Sequence, residues 1–220
     1  METISGPLEL IKKSVGIFFE KKNMIVFLKI YAFLIPFSIF NEYQQRIQLD
    51  SNINNDPVFL SVVSIVGVLY LVISFWIYTA GMLGVLKVVN GAEITVKEIL
   101  LEAWKKLWKT FLVSILVFLV VLGGLVLLVI PGIIFGVWFA FSQLIYLDKG
   151  LMVKESMIVS KSLVVGRSWK IFGRLLVFGL FSGLVNMTMA WIPYLGQVVV
   201  SLLGGLFVIP TVLLYKELSN

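Results

Sequence analysis

The stretch Thr110–Ile130 contains no Asp, Glu, Lys or Arg, and it is one of six long apolar runs. The others are Met24–Phe40, Val58–Leu86, Gly132–Leu147, Ile171–Trp191 and Leu195–Tyr215, in which charge is absent or confined to the first turns (Lys29, Arg174). Crossing about 30 Å of hydrocarbon takes roughly 20 helical residues. Each run therefore reads as a membrane span, the second long enough to tilt or protrude. None shows the short alternating segments of a β-barrel. Lipid offers the backbone no hydrogen-bond partner, so the spans must be helices. Composition agrees: 60% of residues are apolar and 14% charged, against roughly 45–50% and about 25% in a soluble domain. Mean hydropathy is +1.03. That surplus is too large for the core of a soluble chain of 220 residues. Disorder is excluded by the same figures. So is nucleic-acid binding, despite a net charge of +6. The expected fold is an all-α membrane protein, one integral domain over residues 1–220.

Orientation follows from where the 18 Lys and Arg fall. Lys12, Lys13, Lys21 and Lys22 precede span one. Lys87, Lys97, Lys105, Lys106 and Lys109 lie between spans two and three. Lys149, Lys154, Lys161, Arg167, Lys170 and Arg174 lie between or just inside spans four and five, and Lys216 follows span six. The opposite side has Arg46 alone, in the polar loop Asn41–Pro57 with Glu42, Asp50 and Asp56. Its other turns, Ile130-Pro131-Gly132 and Trp191-Ile192-Pro193-Tyr194, carry no charge. The positive-inside rule places both termini in the cytoplasm and the chain in the cytoplasmic (inner) membrane. Met1–Glu9 carries Glu2 and Glu9 with no early apolar run, so no signal peptide is expected.

The basic segments are amphipathic. Val96, Ile99, Leu100, Ala103, Trp104, Leu107 and Trp108 repeat at helical spacing, with Lys97, Glu98, Glu102, Lys105, Lys106 and Lys109 on the other face. Thr95 and Glu98 fit a capping box. Leu8, Ile11, Val15 and Phe18 make a weaker stripe before span one, and Met152–Val165 a third before span five. Helices of this kind lie in the headgroup plane. The sequence thus predicts three hairpins, each preceded by a cytoplasmic interfacial helix, in units 7–89, 95–147 and 151–216. Val96-Lys97-Glu98 recurs as Val153-Lys154-Glu155, and Ile130-Pro131 as Ile192-Pro193. Two readings stand open: a parallel threefold repeat, or basic residues recurring because orientation requires them.

One region carries a resemblance. Ile130-Pro131-Gly132-Ile133-Ile134 is followed by an aromatic span, the turn Asp148-Lys149-Gly150, then Glu155-Ser156, Ser160 and Gly166-Arg167-Ser168-Trp169-Lys170-Ile171-Phe172-Gly173. This order resembles the membrane domain of glycerophosphoryl diester phosphodiesterases and the YciC-type family of uncharacterised bacterial membrane proteins. Where the family pattern has Ala, this chain has Ser156. The resemblance implies a multi-helical membrane domain, with Pro131, Gly132, Ser160, Gly166 and Gly173 as structural motif residues. It implies no activity, because the relatives' chemistry sits in a separate domain with histidines and metal-binding carboxylates.

The chain has neither Cys nor His. That removes disulfides, thiol nucleophiles, and His-based metal sites and bases. No ionisable group lies mid-span, which argues against a proton pump, an ion-coupled transporter or a voltage sensor. No catalytic, metal or cofactor residue is expected, and the chain is read as a non-enzyme. The deepest strongly polar groups are Gln143, Asn186 and Thr188. They either line a pocket or, the favoured reading, bond between helices. Small residues four apart (Ala80 and Gly84, Gly136 and Ala140, Gly179 and Gly183, Ser201 and Gly205) suit close helix packing within one chain, in a homo-oligomer or against a membrane-protein partner. Pro36 and Pro210 interrupt spans one and six. The leading functional residues are Trp104, Lys105, Lys106, Trp108, Lys109, Arg167, Trp169, Lys170 and Arg174, a cationic and aromatic face suited to anionic lipid headgroups. The expected role is a non-catalytic membrane scaffold or lipid- or partner-interacting module. The alternative is a small transporter or lipid-handling protein with a cavity between hairpins.

Overall fold

The computed structural model describes residues 4–40, 57–92 and 95–219. The loop read at Asn41–Pro57 and its charges Glu42, Arg46, Asp50 and Asp56 lie outside the described residues, apart from Pro57. The described chain is predominantly helical, with no strand among the described residues. The helices are α1 (Pro7–Phe19), α2 (Lys21–Tyr31), α3 (Pro57–Val89), α4 (Val96–Leu127), α5 (Val129–Trp138), α6 (Ser142–Lys149), α7 (Val153–Val164), α8 (Ser168–Met189), α9 (Leu195–Leu202) and α10 (Gly204–Ser219). Six helical segments are long and apolar enough to cross a membrane: Lys21–Phe40, Leu60–Val89, Val96–Leu127, Val129–Lys149, Ser168–Met189 and Leu195–Ser219. The protein is an all-α polytopic membrane protein.

The spans depart from simple rods at places the residues explain. Span one tightens into a 3-10 turn at Ala32–Leu34, just before Pro36. Pro36 has no N–H to donate to Ala32, whose carbonyl takes the N–H of Ile35 instead. Span six breaks at Leu203, between α9 and α10, while Pro210 sits inside α10. Span four breaks between Trp138 and Ser142, a point that neither Gly nor Pro marks.

Span three corrects an expectation. The amphipathic segment read at 95–109 is not a separate helix lying flat; it runs without interruption into the span, as one helix of 32 residues. No Gly or Pro stands between Val96 and Val121 to bend it. Across the predicted junction, the hydroxyl of Thr110 donates to Lys106 O at 3.0 Å. Of the capping box read at Thr95 and Glu98, one half is present: Glu98 N–H donates to Thr95 Oγ at 3.4 Å. In contrast, α1 is divided from α2 at Glu20, whose ψ of 124° leaves the helical region. α7 is divided from α8 at Gly166, whose φ of +85° is left-handed. The amphipathic segment is thus separate in the first and third units and merged in the second, and the architecture does not establish a threefold repeat.

Packing is concentrated at the basic end. In α3, Ile77, Ala80, Leu83, Val85 and Leu86 are buried, while Val58, Leu60, Val62, Ile65, Val68 and Leu71 face outward. In α4, Ile99, Ala103, Thr110 and Val113 are buried, while Phe118, Leu119, Leu122 and Val126 are exposed. Phe141 at the break before α6, together with α6 and α10, supplies the same core, the helices contributing Leu144, Ile145, Val212, Leu214 and Tyr215. Apolar side chains gain little by leaving lipid for one another, so the outer halves have no hydrophobic drive to close. The α4–α5 turn is an exception held by glycines. A Cβ on Gly124 would stand 2.9 Å from Gly132 Cα, and one on Gly132 would stand 2.9 Å from Leu125 N. Of the other small pairs, Gly84 and Gly205 pack internally, whereas Gly136, Gly179 and Gly183 meet nothing within 4 Å. Gly173 likewise faces open space, so packing gives no reason for that motif position.

Candidate functional site: the basic end of the bundle

The break in span four sets the geometry of this end. Ala140 N–H turns to Val137 O, and Ser142 N–H to Phe139 O. Trp138 C=O and Phe141 N–H thereby lose their i,i−4 partners. Ser160, fully buried on α7, serves both: its hydroxyl donates to Trp138 O at 2.7 Å and accepts from Phe141 N–H at 3.2 Å. The buried face of α7 is accordingly Ser156, Ser160 and Val164, whereas Ile158 and Val165 point outward. Trp138 is held on two further sides. Its indole N–H donates to Ser168 Oγ at 3.1 Å, and Lys161 Nζ lies over its ring at 4.5 Å. Gly166 turns the chain so that Arg167, Ser168, Trp169 and Lys170 open α8 beside this tryptophan. Between α5 and the start of α8 runs a cleft of about 450 Å³, walled by Ile133, Ile134, Val137, Trp138 and Phe172 and rimmed by Arg167 and Lys170.

Charge at this end divides cleanly. Glu102 bridges Lys87 (2.5 Å) and Lys106 (2.8 Å). Asp148 accepts from Tyr215 Oη at 2.8 Å and from Lys216 Nζ at 2.9 and 3.0 Å. Glu217 accepts from Ser5 N–H at 3.0 Å, and Glu155 from Met152 N–H at 3.0 Å. Glu9 pairs with Lys13 at 2.8 Å; the hydrogen bond from Lys13 holds its carboxyl below the ordinary carboxylate range. The carboxylates are therefore largely consumed. Among the described residues, Lys97, Lys105, Lys109, Arg167 and Lys170 have no acidic partner.

The residues read as a headgroup face separate into two groups. Lys105, Lys109, Arg167 and Lys170 are exposed with free heads, and Trp104, Trp108 and Trp169 are exposed beside them. Trp104 packs edge-on against Trp76 at 5.5 Å. Two cations are occupied internally. Lys106 also donates to Leu147 O at 3.2 Å, where a cation suits the C-terminal end of α6. Arg174 ties the chain's start to α8, donating to Ser5 O at 2.9 Å, Ile4 O at 2.8 Å and Lys170 O at 2.8 Å. The pairing of Glu102 with Lys87, and of Asp148 with Tyr215 and Lys216, is not readable from the sequence. The one local signal was the i,i+4 spacing of Glu102 and Lys106.

The intramembrane polar residues do not converge. Gln143 Nε2 donates to Ser114 Oγ, joining α6 to α4. Asn186 and Thr188 are exposed near the far end of α8 and donate to Ser182 O (2.8 Å) and Val185 O (2.9 Å) of their own helix. Replacing Gln143 by Leu should therefore cost only about 0.6 kcal/mol, the typical worth of a hydrogen bond between membrane helices. Equilibrium unfolding in mixed micelles measures it, and a loss above about 2 kcal/mol would show that Gln143 does more than join two helices. A second, wider cleft of about 900 Å³ lies among α2, α3 and α4, lined by Lys29, Phe33, Trp76, Lys97, Leu100 and Trp104. Comparison with protein-family models, curated proteins and solved structures returns no match.

Proposed function

We propose that this protein is a non-catalytic scaffold of the cytoplasmic membrane, with both termini inside and its basic, tryptophan-bearing end engaging the anionic inner leaflet. The single observation that carries this reading is the division of charge: the acidic groups there are nearly all paired internally, while Lys97, Lys105, Lys109, Arg167 and Lys170 are among the exposed cations that have no acidic partner among the described residues. Such an end attracts anionic headgroups by about 1 kcal/mol per basic residue near the surface. Exposed Trp104, Trp108 and Trp169 suit the headgroup layer. The resemblance to the phosphodiesterase-linked membrane domain and the YciC-type family implies a multi-helical membrane domain and supplies no activity. A transporter or lipid-handling role is the competing reading; the wide cleft beside Trp76 and Trp104 is the feature that favours it.

The test substitutes Lys97, Lys105 and Lys109 by Gln and leaves Lys106 in place, because that side chain holds Leu147. The anionic lipid co-purified with the triple variant should fall by half or more, with unchanged thermal stability. Unchanged lipid content would defeat the reading. The absence of Cys makes single-cysteine labelling clean, and reaction of a cysteine at Lys161 with an external impermeant reagent would reverse the orientation.

A further inference from the structure

We infer that the cleft between α5 and the start of α8 is a binding site for one anionic phospholipid, its phosphate held by Arg167 and Lys170 and the upper part of an acyl chain laid along Ile134, Val137 and Phe172. This deepens the scaffold reading and rests on it. On the cleft floor, Trp138 spends its N–H on Ser168 and its carbonyl on Ser160. The wall formed by Ile133, Ile134, Val137 and Phe172 is apolar and matched to hydrocarbon. The rim is the opposite. Arg167 and Lys170 are exposed, and neither has an acidic partner among the described residues. Lys161 adds a third positive charge but is engaged on the Trp138 ring. Two free cations above an apolar trough complement one molecule, a negative headgroup on a hydrocarbon tail. Guanidinium suits phosphate in particular, because its fork donates two parallel hydrogen bonds. The wider cleft also has lysines, but its rim reaches Val96 beside residues outside the described ones.

Native mass spectrometry of the detergent-solubilised full chain tests this, with phosphatidylglycerol and phosphatidylcholine of identical acyl chains as probes. The wild type should retain one phosphatidylglycerol after delipidation and prefer it over phosphatidylcholine. Arg167→Gln combined with Lys170→Gln should weaken phosphatidylglycerol about 30-fold, the factor two basic contacts give at about 1 kcal/mol each. Phosphatidylcholine binding should not change. Ile134→Trp, which fills the trough and keeps both charges, should also expel the lipid, and thermal melting checks that each variant is folded. Equal retention of the two lipids would overturn the proposal. So would undiminished phosphatidylglycerol in the double variant, or glycerol phosphate competing as well as the intact lipid. If the Lys97, Lys105 and Lys109 variant sheds loosely held anionic lipid while the double variant keeps its single molecule, the cleft proposal fails and the scaffold reading stands.

Discussion

Replacing Ser160 by Ala should destabilise the protein by about 2–4 kcal/mol, although it deletes one oxygen. The estimate follows from what that oxygen does. At the break in span four, Trp138 C=O and Phe141 N–H have no helical partner, and Ser160 Oγ meets both, at 2.7 and 3.2 Å. The site is buried, with Ser160 at 0% exposure, so water does not replace the hydroxyl. An unsatisfied buried polar group costs about 1–3 kcal/mol, and here two are left at once. Ser156 is the internal control. It is equally buried on the same helix, but its hydroxyl donates only to Met152 O of its own turn, at 3.0 Å. Ser156→Ala should change stability by less than about 1 kcal/mol. Unfolding in mixed micelles with a rising fraction of dodecyl sulfate compares the two. Equal losses for both variants would show that Ser160 is not the group that makes the break tolerable.

The same serine shows what was legible in the sequence and what was not. Ser160 was identified through a motif resemblance, but the break it serves was invisible: Trp138 to Ser142 contains no Gly, no Pro and no charge. Hydropathy reports whether a stretch prefers lipid, and it found all six spans. It does not report whether a span is one helix or two. That choice depends on a hydroxyl 19 residues away being delivered to Phe141 N–H. The opposite error arose at Lys105–Thr110, where a change from amphipathic to apolar pattern suggested a boundary. The backbone has no reason to stop there, because Lys, Leu, Trp and Thr all continue a helix. The basic end was legible in its sign but not in its wiring. Positive-inside counting treats every Lys alike, whereas Lys106 and Lys109, one turn apart on α4, have different tasks. Lys106 faces inward to Glu102 and Leu147, and Lys109 is exposed.

Asp148 is where this wiring should have its largest effect after Ser160. Its carboxylate joins α6 to α10 across 68 positions of sequence, accepting from Lys216 Nζ with both oxygens and from Tyr215 Oη. Asp148→Asn keeps an acceptor for Tyr215 and removes the charge opposite Lys216. The expected loss is about 1–3 kcal/mol, below the 3–5 kcal/mol of a fully buried pair, because the lysine and aspartate side chains are still 22% and 16% exposed. Most of that loss is the isolated ammonium, so Lys216→Met added to Asp148→Asn should recover stability to within about 1 kcal/mol of wild type. Tyr215→Phe, which removes one hydrogen bond and no charge, should cost about 1 kcal/mol. The loss in the single variant should persist at high salt, since a partly buried pair is screened far less than the exposed Glu9–Lys13 pair. A double variant no more stable than Asp148→Asn alone would mean that α10 is held by its apolar face, with Val212 and Leu214 in the core, and that the ion pair contributes no specific coupling between the last helix and the broken fourth span.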